Sequence, residues 1–328
     1  MAAGVVCRGY SQPLRRAIVD FGADVGFGRI AEKLREHYGL EIPVSSARRI
    51  TYQHAGEIQR AEEAVVVATQ VPERKGVEQL IVEMDGSMIP IVEGQPQGED
   101  TDAATDHRKH KRVKWEEARL AMAHVVGSAT PRFGATLGTV DQAGEQLLGC
   151  AIAVGAGTET KIHAVGDGAP WIAEQVERQF GAQATYVIDF YHLCEYLSAV
   201  AASVEHTPAW VMKQPGRIKE NRLSEVVEEL RPYLESDQVA AADAPVRALT
   251  RYVKKRAGQF NYQESIAAGL PIGSGEIESA HRYVVQHRLK LAGAWWTVDK
   301  AAKMLALRVQ RANGQWESYW QNRQRKAA

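Results

Sequence analysis

Three cysteines in 328 residues, Cys7, Cys150 and Cys194, are too few and too far apart for a disulfide framework, and no Cys-x-x-Cys pair or Cys/His spacing offers a zinc site. No apolar run is long enough to cross a bilayer, and the first residues lack a secretory pattern, so a cytoplasmic protein away from membranes is expected. Internal repeats are absent. Net charge is missing too: 40 Lys and Arg balance 40 Asp and Glu, so total charge says nothing about a nucleic-acid partner. Its distribution says more. From residue 280 onward ten basic residues stand against two acidic ones, Asp299 and Glu317, and residues 108–114 carry five basic side chains in seven positions. Such asymmetry can hold phosphate on one face of a neutral molecule. With 45% apolar residues, the chain can bury a core for two domains, or for one large domain with an insertion.

The first sixty residues read as helices joined by tight turns: 14–21, then 28–38 with Gly39 as terminator, then a third from Ser45 or Ser46 to about Ile58. On the third, Ala47, Ile50, His54 and Ile58 share the inner face, while Arg48, Arg49, Tyr52 and Gln53 project outward. A small unit with a basic, hydrogen-bonding third helix fits a helix-turn-helix that reads DNA; the plainer alternative is a helical bundle or dimerisation arm. A charged connector, Arg60-Ala61-Glu62-Glu63, leads into the remainder, which divides the chain into 1–62 and 63–328. Strands are expected at 78–84, 118–126, 134–140, 161–166 and 186–188, with helices at 141–154, 170–180 and 190–204. Residues 94–106 read as a mobile loop, and about 205–268 as a helical insertion. A long helix is expected from Gly275 and another over 297–311. The fold class is therefore α/β, an RNase H-like core with a helical insertion behind a small helical DNA-binding unit.

Two strand-like runs end on Asp-Gly, Leu80 to Asp85-Gly86 and Ile162 to Asp167-Gly168, and Gly273-Ser274-Gly275-Glu276-Ile277-Glu278 follows about a hundred residues later. One Asp-Gly pair alone is more often a turn; two in matching contexts favour a site. Acids at strand ends sit where functional groups of α/β proteins gather, and Gly86 would allow close approach of a metal or phosphate. Asp85, Asp167 and Glu278 together offer hard oxygen ligands without thiols, suited to two Mg²⁺ ions (Mn²⁺ as the alternative) in phosphoryl transfer on nucleic acid. Glu276 rivals Glu278, since positions two apart point to different sides of a helix, and Asp189 rivals Asp167 at the end of another strand.

These blocks resemble a bacterial insertion-sequence transposase of the Asp-Asp-Glu class, of the Kra group related to Mutator-like elements. The resemblance lies in Met84-Asp85-Gly86, residues 165–172, Ile188-Asp189-Phe190-Tyr191-His192-Leu193, residues 270–279, Arg288-Leu289-Lys290 and Trp295-Trp296, and spans about 75–320. It implies that Asp85, Asp167 and Glu278 bind the metal and catalyse DNA cleavage and strand transfer. It further implies that Asp189-x-x-His192 is an accessory signature. The expected partners are double-stranded DNA, as element ends and target, and a second copy of the chain, because pairing two ends needs at least a dimer; the expected place is the nucleoid. Arg282, Arg288 and Lys290 are the candidate phosphate contacts beside the site. Two alternatives stay open on sequence alone: a nuclease that hydrolyses without joining, and a DNA-binding protein that has lost its chemistry.

Overall fold

The computed structural model describes residues 9–67, 71–93, 112–204 and 208–327. Three helices open the chain: α1 (Gln12–Asp24), α2 (Phe27–Tyr38) and α3 (Val44–Val67). α2 stops where Gly39 takes a left-handed backbone, its N–H donating to the Arg35 carbonyl at 2.9 Å. α3 buries Ala47, Ile50, His54 and Ile58 and exposes Arg48, Arg49 and Gln53, with Tyr52 half-buried. It does not end near Ile58. Residues 59–67 contain no glycine or proline, so the stretch expected as a connector simply continues the helix across residue 62.

A five-stranded sheet follows, built from β1 (Gln79–Glu93), β2 (Arg112–Val125), β3 (Arg132–Thr136), β4 (Lys161–Gly166) and β5 (Ala184–Ile188) in the order β3-β2-β1-β4-β5. β1, β2 and β3 are antiparallel neighbours, whereas β4 and β5 run parallel to β1. The strand expected to end at Asp85-Gly86 runs on to Glu93, paired with β2 down to Arg112. Residues 87–92 alternate well enough to extend it. Pro90 is tolerated because β4 leaves β1 after the Glu83–Val165 pair, and the single bridge to Trp296 that follows on that side takes its N–H from Val92, so no ladder N–H is asked of residue 90. β3 stops at Thr136, four residues short of expectation, because Thr139 and Gln142 close a reciprocal capping box that starts the next helix. The expected loop at 94–106, residues 108–111 of the basic run and Cys7 lie outside the described residues.

Helices α4 (Val140–Ala153) and α5 (Pro170–Phe180) cover one face of the sheet, packing on Leu80, Val82, Met84, Ala121, Ile162 and Ala164. Next come α6 (Phe190–Ser203), α7 (Pro208–Lys219), α8 (Leu223–Glu229), α9 (Pro245–Lys255) and α10 (Tyr262–Ala267), clustered around Leu193, Leu197, Ile218, Leu249 and Tyr262. The expected long helix is α11 (Gly275–Ala280), a wide π-helical turn at His281–Gln286, and α12 (His287–Leu289). Two more helices close the chain, α13 (Val298–Ala312) and α14 (Trp316–Ala327); the last was not anticipated. The second face of the sheet carries Ile89, Ile91, Leu120 and Met122 into a core shared by α1, α2, α3, α11, α13 and Trp320 of α14. No helix among the described residues is long and apolar enough to cross a membrane.

Because Ile18, Ile50, Leu120 and Met304 belong to one continuous core, the N-terminal helices should not melt by themselves. Ile50→Ala is expected to cost about 2–5 kcal/mol and to shift the melt of sheet and helices together. Circular dichroism and tryptophan fluorescence would then give coincident transitions, and a separate early transition would count against a shared core.

Candidate functional site

Alternation along β1 puts Ile81, Glu83 and Asp85 on the face that α11 covers, with His124 and Leu120 of β2 and His163 of β4 beside them in register. The segment from Pro271 into α11 is fastened to this face at several points. His163 Nε2 donates to the Pro271 carbonyl at 2.7 Å, and Phe190 N–H donates to the Ile272 carbonyl at 2.8 Å. Ser274 precedes α11 without capping it; its N–H and hydroxyl both donate to Asp189 Oδ2, at 2.7 and 2.6 Å. Glu83 takes over the capping, accepting the Ile277 N–H at 2.9 Å from a side chain only 2% exposed. Burial, with the charges of Glu276 and Asp189, pushes Glu83 up to about 8 against the pull of that N–H, so it is largely a neutral acid near pH 7.

Two residues on, Asp85 accepts the Gly86 N–H at 2.7 Å and faces His281 Nε2 at 3.4 Å. Burial raises the Asp85 carboxyl to about 6; the Gly86 N–H offsets this in part, and the charges of Asp167, Glu117 and Glu278 add to it. Burial also lowers His281 to about 4, so its ring is neutral at pH 7 and the 3.4 Å approach is not an ion pair. Neither ring nitrogen of His281 makes a hydrogen bond of good geometry among the described residues, although the Asp85 backbone lies near enough to offset part of the downward shift. The space that Gly86 leaves empty is occupied by the Glu117 carboxylate, not kept open for a metal or phosphate as expected.

Asp167 follows β4 and accepts the Ala169 N–H at 2.8 Å; Gly168 beside it has φ +85°, and a Cβ there would lie 2.5 Å from the Tyr252 hydroxyl. Of the two rival glutamates, Glu278 is the one whose charge bears on Asp85, and Arg282 stands 3.4 Å from it. Glu276 turns the other way, 3.2 Å from His124 Nε2 and close to Glu83. Among the described residues no three acidic, histidine or cysteine side chains converge closely enough to ligate one ion. Asp85, Asp167 and Glu278 are neighbours coupled through charge rather than a closed ligand set. Three carboxylates, Asp167, Glu117 and Glu278, around the desolvated Asp85 form an oxygen-rich, negatively charged locus, and a divalent cation would relieve that charge.

The other expected residues divide. Asp189 spends both oxygens on backbone and Ser274, capping α6 through the Tyr191 and His192 N–H groups at 2.6 and 3.1 Å. His192 is half-exposed beside Glu195, with its ring against Tyr196 and Tyr252. Lys290 reaches the cluster, donating to Ser87 Oγ at 2.9 Å while its charge bears on His281. Arg288 does not serve as a phosphate contact: it is 1% exposed, stacked on Phe27 and Trp296, with Nε donating to the Gly22 carbonyl at 3.0 Å. Its place in the core follows from two aromatic faces that receive a guanidinium. Trp296 is core and Trp295 is 56% exposed. Glu83 and His281 were missed, though the first lies on the Asp85 face by strand period and the second follows Glu278 by three residues, one helical turn on.

The chain belongs to an uncharacterised protein family, UPF0236, whose model matches residues 156–325. That stretch takes in Asp167, Asp189, His192 and Glu278, and begins after Asp85. No curated protein matches the chain.

Since the folded-state value of Glu83 lies above its ordinary 4.5, the folded form binds the proton more tightly. Its contribution to stability therefore falls as pH rises from 4.5 to about 8, by at most about 1.4 kcal/mol per pH unit. Glu83→Gln keeps the acceptor for Ile277 and removes the titration, so thermal melts should flatten over that window and exceed wild type at its alkaline end. Glu83→Leu strands the Ile277 N–H and should lose about 1–3 kcal/mol even at acid pH. A Gln variant whose melting profile parallels wild type would show that Glu83 does not titrate there.

Proposed function

We propose, for this member of UPF0236, a metal-dependent DNA strand-transfer activity of the transposase kind, with Asp85, Asp167 and Glu278 as the acidic triad on an RNase H-like core. One observation carries it above all: a desolvated carboxyl, Asp85, raised to about 6 by burial and by the charges of Asp167, Glu117 and Glu278, set where β4 leaves β1. The strand order β3-β2-β1-β4-β5, three antiparallel strands followed by two parallel ones with helices on both faces, supports the core assignment.

Asp85, Asp167 and Glu278 would hold Mg²⁺ or Mn²⁺, which when bound supplies charge neutralisation at a phosphodiester and activation of an attacking oxygen. The residues of the chain have their own tasks. Asp85 gives up its proton on the way to the competent state. Glu83 keeps α11, and so Glu278, at a fixed distance from β1 through Ile277. His281 stands neutral beside Asp85 as a positioning group. Lys290 and Arg282 offer charge to phosphates at the rim. Asp189 serves by fastening Ser274. His192, beside Tyr252, serves through the aromatic group behind the Asp167 turn. Exposed Arg48 and Arg49, with half-buried Tyr52, are the DNA contacts of α3 in a helix-turn-helix role, and two copies of the chain join two DNA ends.

DNA carrying the element's own ends, incubated with Mg²⁺, should be nicked and then joined to target. Asp85→Ala should reduce nicking by at least about a thousandfold, equivalent to about 4 kcal/mol. Nicking without joined product would reduce the activity to that of a nuclease, and end binding without nicking would leave a DNA-binding protein. The pH dependence follows from the raised Asp85 value. Below about 6 a proton competes with the cation, so activity at limiting Mg²⁺ should fall about tenfold per pH unit, with the midpoint moving to lower pH as Mg²⁺ is raised.

A further inference from the structure

Behind the Asp167 turn, away from Asp85, lies a cleft of about 630 Å³. Its walls include Gly168, Tyr196 of α6, and Arg251, Tyr252, Lys255 and Arg256 at the end of α9. The cleft is tied directly to the turn: Tyr252 donates its hydroxyl proton to the Asp167 carbonyl at 2.8 Å, and Arg256 Nε donates to the Gly168 carbonyl at 2.5 Å. Arg256 is held further by lying 4.0 Å over the Tyr252 ring, on which Tyr196 stacks at 4.4 Å. Three cations therefore face one lining carboxylate, Glu174. Among the described residues no ion pair neutralises Arg251, Lys255 or Arg256, in contrast to Arg16, Arg178, Arg222 and Arg231, each of which faces an acidic partner. The first turn of α5, with Pro170 at its start, opens into the same space and adds the positive end of its dipole.

We propose that this cleft binds one or two nucleotides of a single DNA strand that continues from the carboxylate cluster around the Asp167 turn. The cations are set for phosphates and the tyrosine stack for a base. The volume is that of a small-ligand site, too small for a duplex. The identity of the strand rests on the strand-transfer assignment; the unneutralised cations and the cavity do not.

The test is fluorescence anisotropy with a labelled oligothymidylate of about ten nucleotides, in EDTA, so that neither metal nor cleavage enters. Arg251 and Lys255 are exposed, so the double variant Arg251→Glu/Lys255→Glu should melt like wild type. It should bind about tenfold more weakly at low salt, with a salt slope reduced by about 1.4, as expected for losing two single-strand phosphate contacts. Lys161→Glu, at the opposite end of β4, should behave as wild type. Binding unchanged in the double variant, or no binding by wild type, overturns the proposal. Displacement by equimolar thymidine monophosphate overturns it in favour of a free nucleotide, and equal sensitivity of a blunt duplex overturns the single strand. A protein that binds through Arg251 and Lys255 yet never nicks DNA would keep this cleft and lose the strand-transfer assignment. Nicking by wild type, with oligothymidylate binding unchanged in the double variant, would do the reverse.

Discussion

Glu83 accepts the Ile277 N–H from a position almost closed to water, so no solvent molecule can take over if either partner moves. A strand near the middle of the sheet and the helix that carries Glu278 are thereby held in register, across a sequence separation of 194 residues. The bond would be ordinary at a surface. Its weight comes from burial, which keeps the acid largely neutral and makes any loss of the contact a desolvated, unpaired group. Asp189–Ser274, just past the end of β5, and His163–Pro271, on β4, fasten the segment that leads into α11. The loop before α11 and the first turn of that helix are consequently positioned from β1, β4 and the start of α6 at once.

Asp85 shares the face but not the same state. It keeps partial access to solvent, and its raised value reflects burial first and then the acids that crowd it from β2, the turn after β4, and α11. The fold thus holds two neighbouring carboxyls apart in character. One is sealed and structural; the other is partly open to solvent and crowded by acids. Environment alone separates them, since both sit on one strand two residues apart.

Much of the scaffold was legible because its local signals were undiluted. β4 at 161–166, α5 opening on Pro170, and α6 starting at Phe190 all lie where periodicity and turn signals place them. Elsewhere the decisive information was not local. β1 runs past Asp-Gly because β2 pairs with it, and the proline that argues against a strand is harmless only on the side that β4 has vacated. Arg288 looked like surface charge until Phe27, distant in sequence, and Trp296, eight residues on, were brought against it. Asp85, Asp167 and Glu278 were chosen from context, and the fold brings them near enough for their charges to bear on one another. Glu83 was passed over because an acid inside an apolar strand has meaning only once the helix above it is known.

The core that joins α1, α2 and α3 to α13 and α14 has a consequence for how the chain is made. His54 meets Tyr319 across 265 residues, Arg311 meets Asp20 across 291, and Arg16 meets Glu317 across 301. During synthesis the first helices leave the ribosome on the order of tens of seconds before those partners exist, at about 5–20 residues per second. Over that interval Ile18, Ile50 and Ile58 have no completed cover. Closing contacts of such long range is slow, and exposed apolar helices in that window are open to wrong partners. The nascent chain should therefore lean on chaperones at its beginning more than at its end.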